Sequence, residues 1–186
     1  METETSMHDP APPQSKAELL TRINQAWDDV ATLVDRASNA QLLPAGPDGG
    51  WSVKDHLTHL TAWEGRLLAF LQGRTFADYF GPDPAALDSP IDGLNAFIVE
   101  RDRARTPEDV VQAWREMHLQ VLEALYQLSD DDLKAPRPDP DNPDDIEPLL
   151  GSGVLDGNTY QHYAEHGTAI RLLLPRSSSS DGVLPA

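Results

Sequence analysis

Cysteine is absent from this chain of 186 residues. That absence removes disulfides, thiolate metal ligands and a cysteine nucleophile together, and it fits a reducing, cytoplasmic setting. Any thiol in the chemistry has to come from outside. Basic residues are scarce too: 14 lysines and arginines stand against 31 aspartates and glutamates, a formal charge of −17. A field of that sign repels phosphate backbones and anionic headgroups, so no nucleic acid and no membrane surface are expected among the partners. Long apolar runs are missing, and the first residues, M-E-T-E-T-S-M-H-D-P, are acidic. Neither a membrane span nor an export signal is expected. The period-two alternation that marks strands is hardly seen.

What the chain does carry is a set of marked helix starts. Ser15 with Glu18, Ser52 with Asp55 and Asn158 with Gln161 each place a capping oxygen three residues before an acceptor side chain. Thr106-Pro107 adds a proline at a first helical position. Apolar residues then recur at steps of three and four: Leu20, Ile23, Trp27, Val30 and Val34 in a helix over about 15–38; Val53, Leu57, Leu60, Leu67 and Leu71 in a second. Val111, Trp114, Val121, Leu125 and Leu128 mark a third, and Thr159, Tyr163, Ile170 and Leu173 a fourth. The spacing predicts an all-α fold of one domain over 15–175, between a disordered segment, 1–14, and a disordered tail, 176–186.

Two connections are long. Residues 73–105, with Gly73, Gly81, Pro82, Pro84 and Pro90, form a crossover between the second and third helices that holds a short helix at about 92–103. Residues 129–153 contain five prolines and eight acidic residues, a composition that argues against helix. A loop of that length is either a functional lid or a solvated linker.

The informative residues are polar ones on the apolar stripes. His162 and His166, at i and i+4, stack on one face of the fourth helix, the spacing by which one helix offers two imidazoles to one ion. Hydrogen-bonded core histidines would give the same pattern. His59, at the edge of the second stripe, would supply a third nitrogen from a facing helix, and three neutral nitrogens leave open positions for water and substrate. Glu64 falls between Leu60 and Leu67 on the stripe and is expected to be buried and hydrogen-bonded, and it is the first candidate for moving a proton, with Glu165 as the second. His118 reads as a core histidine and His56 as a solvent-facing one. Asp55 either completes a cap or orients His59.

The stretch W-S-V-K-D-H-L-T-H-L-T-A-W-E, Trp51 to Glu64, resembles the second-helix motif of the DinB/YfiT-like superfamily, and H-x-x-x-H in the last helix resembles its other motif. The resemblance implies an up-down-down-up four-helix bundle with a long crossover, in which His59, His162 and His166 bind a divalent metal such as zinc or nickel. K-A-E-L-L, L-S-D-D-D-L and N-T-Y-Q-H-Y are similar to the ClbS/DfsB group, which includes cyclopropane hydrolases that protect producers of DNA-alkylating metabolites. Other branches use a thiol with the metal. The expected function is therefore a metal-dependent enzyme, a hydrolase or thiol transferase, acting as a monomer or homodimer on a small electrophilic or hydrolysable molecule. The alternatives are a sequestering protein and a plain helical interaction protein.

Overall fold

The computed structural model describes residues 11–81 and 90–174. Four long helices form its body: α1 (Lys16–Asp35), α2 (Val53–Leu71), α5 (Pro107–Gln127) and α8 (Tyr160–Leu173). α1 packs chiefly on α8, and α2 on α5, with α2 also touching α8. The all-α expectation holds for the body of the protein. The segment 1–10 and the tail from 175 lie outside the described residues. Residues 11–14 do not follow the expected disorder: Pro13 is buried and the Ala11 carbonyl accepts from Arg22.

Three of the four expected caps are made. Ser15 Oγ accepts from the Glu18 amide, Thr106 Oγ1 from Asp109, and Ser52 and Asp55 bond each other's backbone reciprocally. Asp55 is therefore a capping residue. The fourth cap differs, because α8 starts at Tyr160 and Thr159 is its flanking residue. Asn158 instead donates to the Val154 carbonyl, closing the short helix α7 (Gly153–Asp156). At the other end of the bundle, Lys16 Nζ donates to the Tyr126 and Leu128 carbonyls and satisfies the C-terminus of α5.

The core runs through Leu19, Ile23, Val30, Leu57, Leu60, Leu67, Trp114, Val121, Leu125, Tyr163 and Ile170. The α1 stripe is set by Leu19 where the periodicity points to Leu20. Trp27 stacks on Trp114 with centroids 4.8 Å apart. The crossover between α2 and α5 carries α3 (Phe76–Phe80) and α4 (Ile91–Arg101). α3 docks where α2 has Gly65: a Cβ there would lie 1.9 Å from Tyr79 Cζ, so only glycine admits the phenol. Lys54 Nζ ties down the far end of the crossover through the carbonyls of Arg103 and Arg105.

The acidic, proline-rich connection is ordered. It forms α6 (Asp130–Lys134), then an antiparallel hairpin of β1 (Pro136–Asp139) and β2 (Asn142–Pro148), then α7. Proline cannot continue a helix, but an isolated ribbon leaves alternate amides unpaired, and Pro136 and Pro138 take two such places. Arg137 faces Glu147 across the ladder. Leu133 and Leu149 anchor its two ends in the core, and Leu150 N donates to Leu133 O.

Candidate metal centre

The Nε2 atoms of His59 and His162 lie 2.9 Å apart, and those of His162 and His166 3.0 Å apart. The capped start of α2 brings His59 to the seam with α8, where the i, i+4 pair presents both rings. Two nitrogens each ~2.0–2.1 Å from one tetrahedral ion stand roughly 3.3 Å apart, so the cluster is close to the spacing of ligands around an ion. The three residues could hold a metal ion. Burial, joined for His59 and His166 by the neighbouring histidines, pushes His59 down to about 2, His162 to about 4 and His166 to about 3. At neutral pH each is an uncharged imidazole with a lone pair to offer. The Nδ1 atoms of His59 and His162 are buried without a partner among the described residues. The fit to a divalent cation rests on the Nε2 side, where three neutral nitrogens converge and cannot all find a donor among themselves.

His56 is not solvent-facing as its position in the sequence suggests. Its Nδ1 stands 2.7 Å from His166 Nδ1, on the side of that ring away from the cluster. A neutral His166 using Nε2 as a ligand carries its hydrogen on Nδ1 and donates it to His56, which fixes the tautomer. Trp51 covers this side, 4.8 Å from the His59 ring and nearly parallel to His166 at 6.1 Å. The signal for His56 lay in spacing: His56, His59, Trp63 and Arg66 form a second stripe on α2, beside the apolar one.

Glu64 is not brought to the histidines. It is 0 % exposed, and its Oε1 accepts from the Tyr163 hydroxyl and lies 3.3 Å from His118 Nδ1. Burial raises its pKa, while the bonds to His118 and Tyr163 lower it. His118 is the core histidine its pattern suggests, with its ring flat on Trp27 at 4.3 Å. Five residues on from His59, Glu64 points across the bundle core, which corrects its expected place at the reacting centre.

The cluster opens into a cleft of about 520 Å³ lined by His59, His162, His166, Trp51, Trp63 and Glu165, among others. Gly153 and Asn158, at the end of the 129–153 connection, complete its rim. Arg66 and Ile91 belong both to this cleft and to an adjoining one of about 400 Å³, which Asp141 of the hairpin turn also lines.

A helical bundle with a three-imidazole cluster at the seam of two helices belongs to the class of bundle proteins with a candidate metal site. Residues 22–166 match the DinB superfamily, and the chain belongs to that family. Its fold is similar to that of an uncharacterised protein from Escherichia coli UTI89, with TM-score 0.68, 18 % identity, and 89 % of this chain and 95 % of that one covered. It is also similar to the colibactin self-resistance protein ClbS in complex with a dsDNA, at TM-score 0.67 and 16 % identity, covering 87 % of this chain and 96 % of that one. DfsB, described as a sibling lethal factor precursor, follows at TM-score 0.63 and 16 % identity, with 85 % and 94 % covered. These likenesses are of fold, and they agree with the motif resemblance to the ClbS/DfsB group. No curated protein sequence matches the chain.

The ClbS complex corrects one expectation. Exclusion of nucleic acid rested on the net charge of −17, yet a neighbour of the same fold is seen on dsDNA. Net charge is a long-range average, screened within about 10 Å in salt, and does not decide what a local patch touches. The membrane expectation meets a narrower finding: among the described residues no helix is long and apolar enough to cross a membrane.

Proposed function

We propose that the protein is a cytoplasmic, metal-dependent enzyme that directs water or an external thiol against a small electrophilic or hydrolysable molecule, in detoxification or self-protection. The observation that carries this reading is the convergence of three neutral Nε2 atoms at the floor of an open cleft. His59, His162 and His166 would hold the ion, zinc or nickel. Once bound, such an ion supplies Lewis acidity and lowers the pKa of a nucleophile toward neutrality. The chain's own residues do the rest. His56 holds His166 in the ligating tautomer, Trp51 keeps water from the back of the rings, and Glu165, the carboxylate on the cleft wall, takes up the proton released by the nucleophile.

Metal analysis of untagged protein tests the first half of the reading. About one ion per chain is expected, and loss of that ion in His162→Ala with the helical content retained. Incubation with a panel of alkylating electrophiles, with and without a low-molecular-weight thiol, tests the second half. Multiple metal-dependent turnovers support the enzyme, whereas one equivalent bound without product supports sequestration in the aromatic-walled cleft. Double-stranded DNA enters the same panel on the strength of the ClbS neighbour.

A further inference from the structure

Arg66 is set apart from the other described arginines by its contact with two aromatic rings at once. Arg22, Arg101, Arg103, Arg105 and Arg115 all stand in ion pairs. Arg66, like Arg36, Arg74, Arg137 and Arg171, has no such partner among the described residues, but its guanidinium packs against a pair of aromatic rings, 5.4 Å from the Trp63 centroid and 5.6 Å from that of Phe76. Both rings are themselves held. Trp63 Nε1 donates to Asn95 Oδ1 at 3.2 Å, and Phe76 lies 6.1 Å from Trp63 in a stacked arrangement. The nearby carboxylate of Asp141 accepts the Phe76 amide with both oxygens at 2.9 and 3.0 Å and makes no ion pair with Arg66. The other cleft carboxylate, Glu165, sits with His162 and His166 on α8.

Arg66 and His59 share one face of α2, seven residues apart, which is about 10 Å along the helix. Trp63 lies between them. The cleft therefore presents, in order, a nitrogen cluster, an indole wall and a half-buried guanidinium whose fork of donors has no hydrogen-bond partner among the described residues.

We propose that the cleft takes a small molecule with an oxyanion, a carboxylate or a phosphate, at one end, seated on Arg66. Its flat apolar body lies along Trp63, and its reacting group reaches the histidines about 10 Å away. This rests on the reading of the cleft as the reaction site and adds the substrate class to it. The planar fork of an arginine held on an aromatic shelf grips two oxygens of a carboxylate or a phosphate bidentately, and lysine does not reproduce that geometry. The distance between anchor and cluster acts as a ruler, so short anions such as acetate or inorganic phosphate fill one end only.

The test is titration calorimetry of the full chain with biphenyl-4-carboxylate, biphenyl-4-phosphonate and the neutral biphenyl-4-carboxamide. Wild type is expected to bind both anions at least tenfold more tightly than the amide. Arg66→Gln should erase that preference while leaving the amide's affinity within about twofold, and Arg66→Lys should retain only part of it. Equal binding of anions and amide, survival of the preference in Arg66→Gln, or binding of none of the three overturns the proposal. The His162→Ala variant separates the two readings: it is expected to lose metal yet keep the anion preference, so a chain without metal or turnover can still bear out the anion site.

Discussion

Two polar clusters cross the same bundle, each built from α2 and α8, and they differ in kind. His59 and His162 open into the cleft, whereas Glu64 and Tyr163, each close by in sequence, close on His118 in the dry core. The core cluster is made of complementary groups: a phenol and an imidazole meet Oε1 of one carboxylate, whose Oε2 is buried without a partner among the described residues. The cleft cluster is made of like groups: three Nε2 atoms converge, and neutral imidazoles that compete for the same role cannot all find a donor among themselves. Complementary groups bond to one another directly and hold helices together. Like groups are completed from outside, which is the physical difference between a clasp and a binding site.

The largest test of that contrast is His118→Ala. It removes a ring stacked on Trp27 and leaves a buried carboxyl short of a donor, so a loss of about 3–5 kcal/mol is expected in chemical denaturation. His59→Ala, at the open cluster, should cost far less in protein without metal. Comparable losses from both would show that the cleft histidines are a clasp as well. A smaller effect is expected at His56. Removing the partner of a metal-ligating histidine weakens metal affinity about 10–100-fold, and His56→Gln, which keeps an acceptor, should recover part of it. Metal competition titrations would read this, and an unchanged affinity in His56→Ala would strip His56 of its orienting role. Asp141→Ala breaks the bond from hairpin to crossover and should cost about 0.5–1.5 kcal/mol. If melting is unmoved, the hairpin tip is not a structural tie.

Acid and base should separate the clusters by sign. The cleft histidines titrate in the fold at about 2, 4 and 3 against an ordinary 6.5, so the unfolded chain binds their protons first. Their contribution is full above pH 6.5 and is lost as pH falls from there toward those values. Glu64 is raised from an ordinary 4.5, so its contribution is full below pH 4.5 and declines as pH rises toward its folded value. In metal-free protein, His162→Asn should flatten the acid limb of a melting-temperature profile and Glu64→Gln the opposite limb. A Glu64→Gln profile identical to wild type would contradict the buried, protonation-sensitive carboxyl.

The helices and the histidine pair were legible because they depend on local spacing. Ser15, Ser52 and Thr106 cap through bonds to residues three along, and the i, i+4 stacking of His162 and His166 follows from the helix itself. The pairing of His56 with His166 was not legible, because it depends on how α2 is rotated against α8. Glu64 illustrates the same limit. Its burial follows from the stripe, but its partners follow from which helix lies opposite. Residues 129–153 were only partly legible: from Pro136 onward the prolines exclude helix without excluding a ribbon whose alternate amides face solvent, while Ser129 caps the short helix α6 before them despite its acidic run. Asn158 failed as a cap because its side chain found the Val154 carbonyl first.

The position of Trp51 has a practical side. Its indole lies 4.8 Å from the His59 ring and nearly parallel to His166, so a doubly charged ion arriving among those rings changes the electric field on a chromophore already in place. Occupancy of the site is then written into the intrinsic fluorescence of the unlabelled chain, and Trp51→Phe would remove the share of the signal that reports it. With no cysteine in the sequence, the readout can be taken in the presence of any thiol without a redox change in the protein itself.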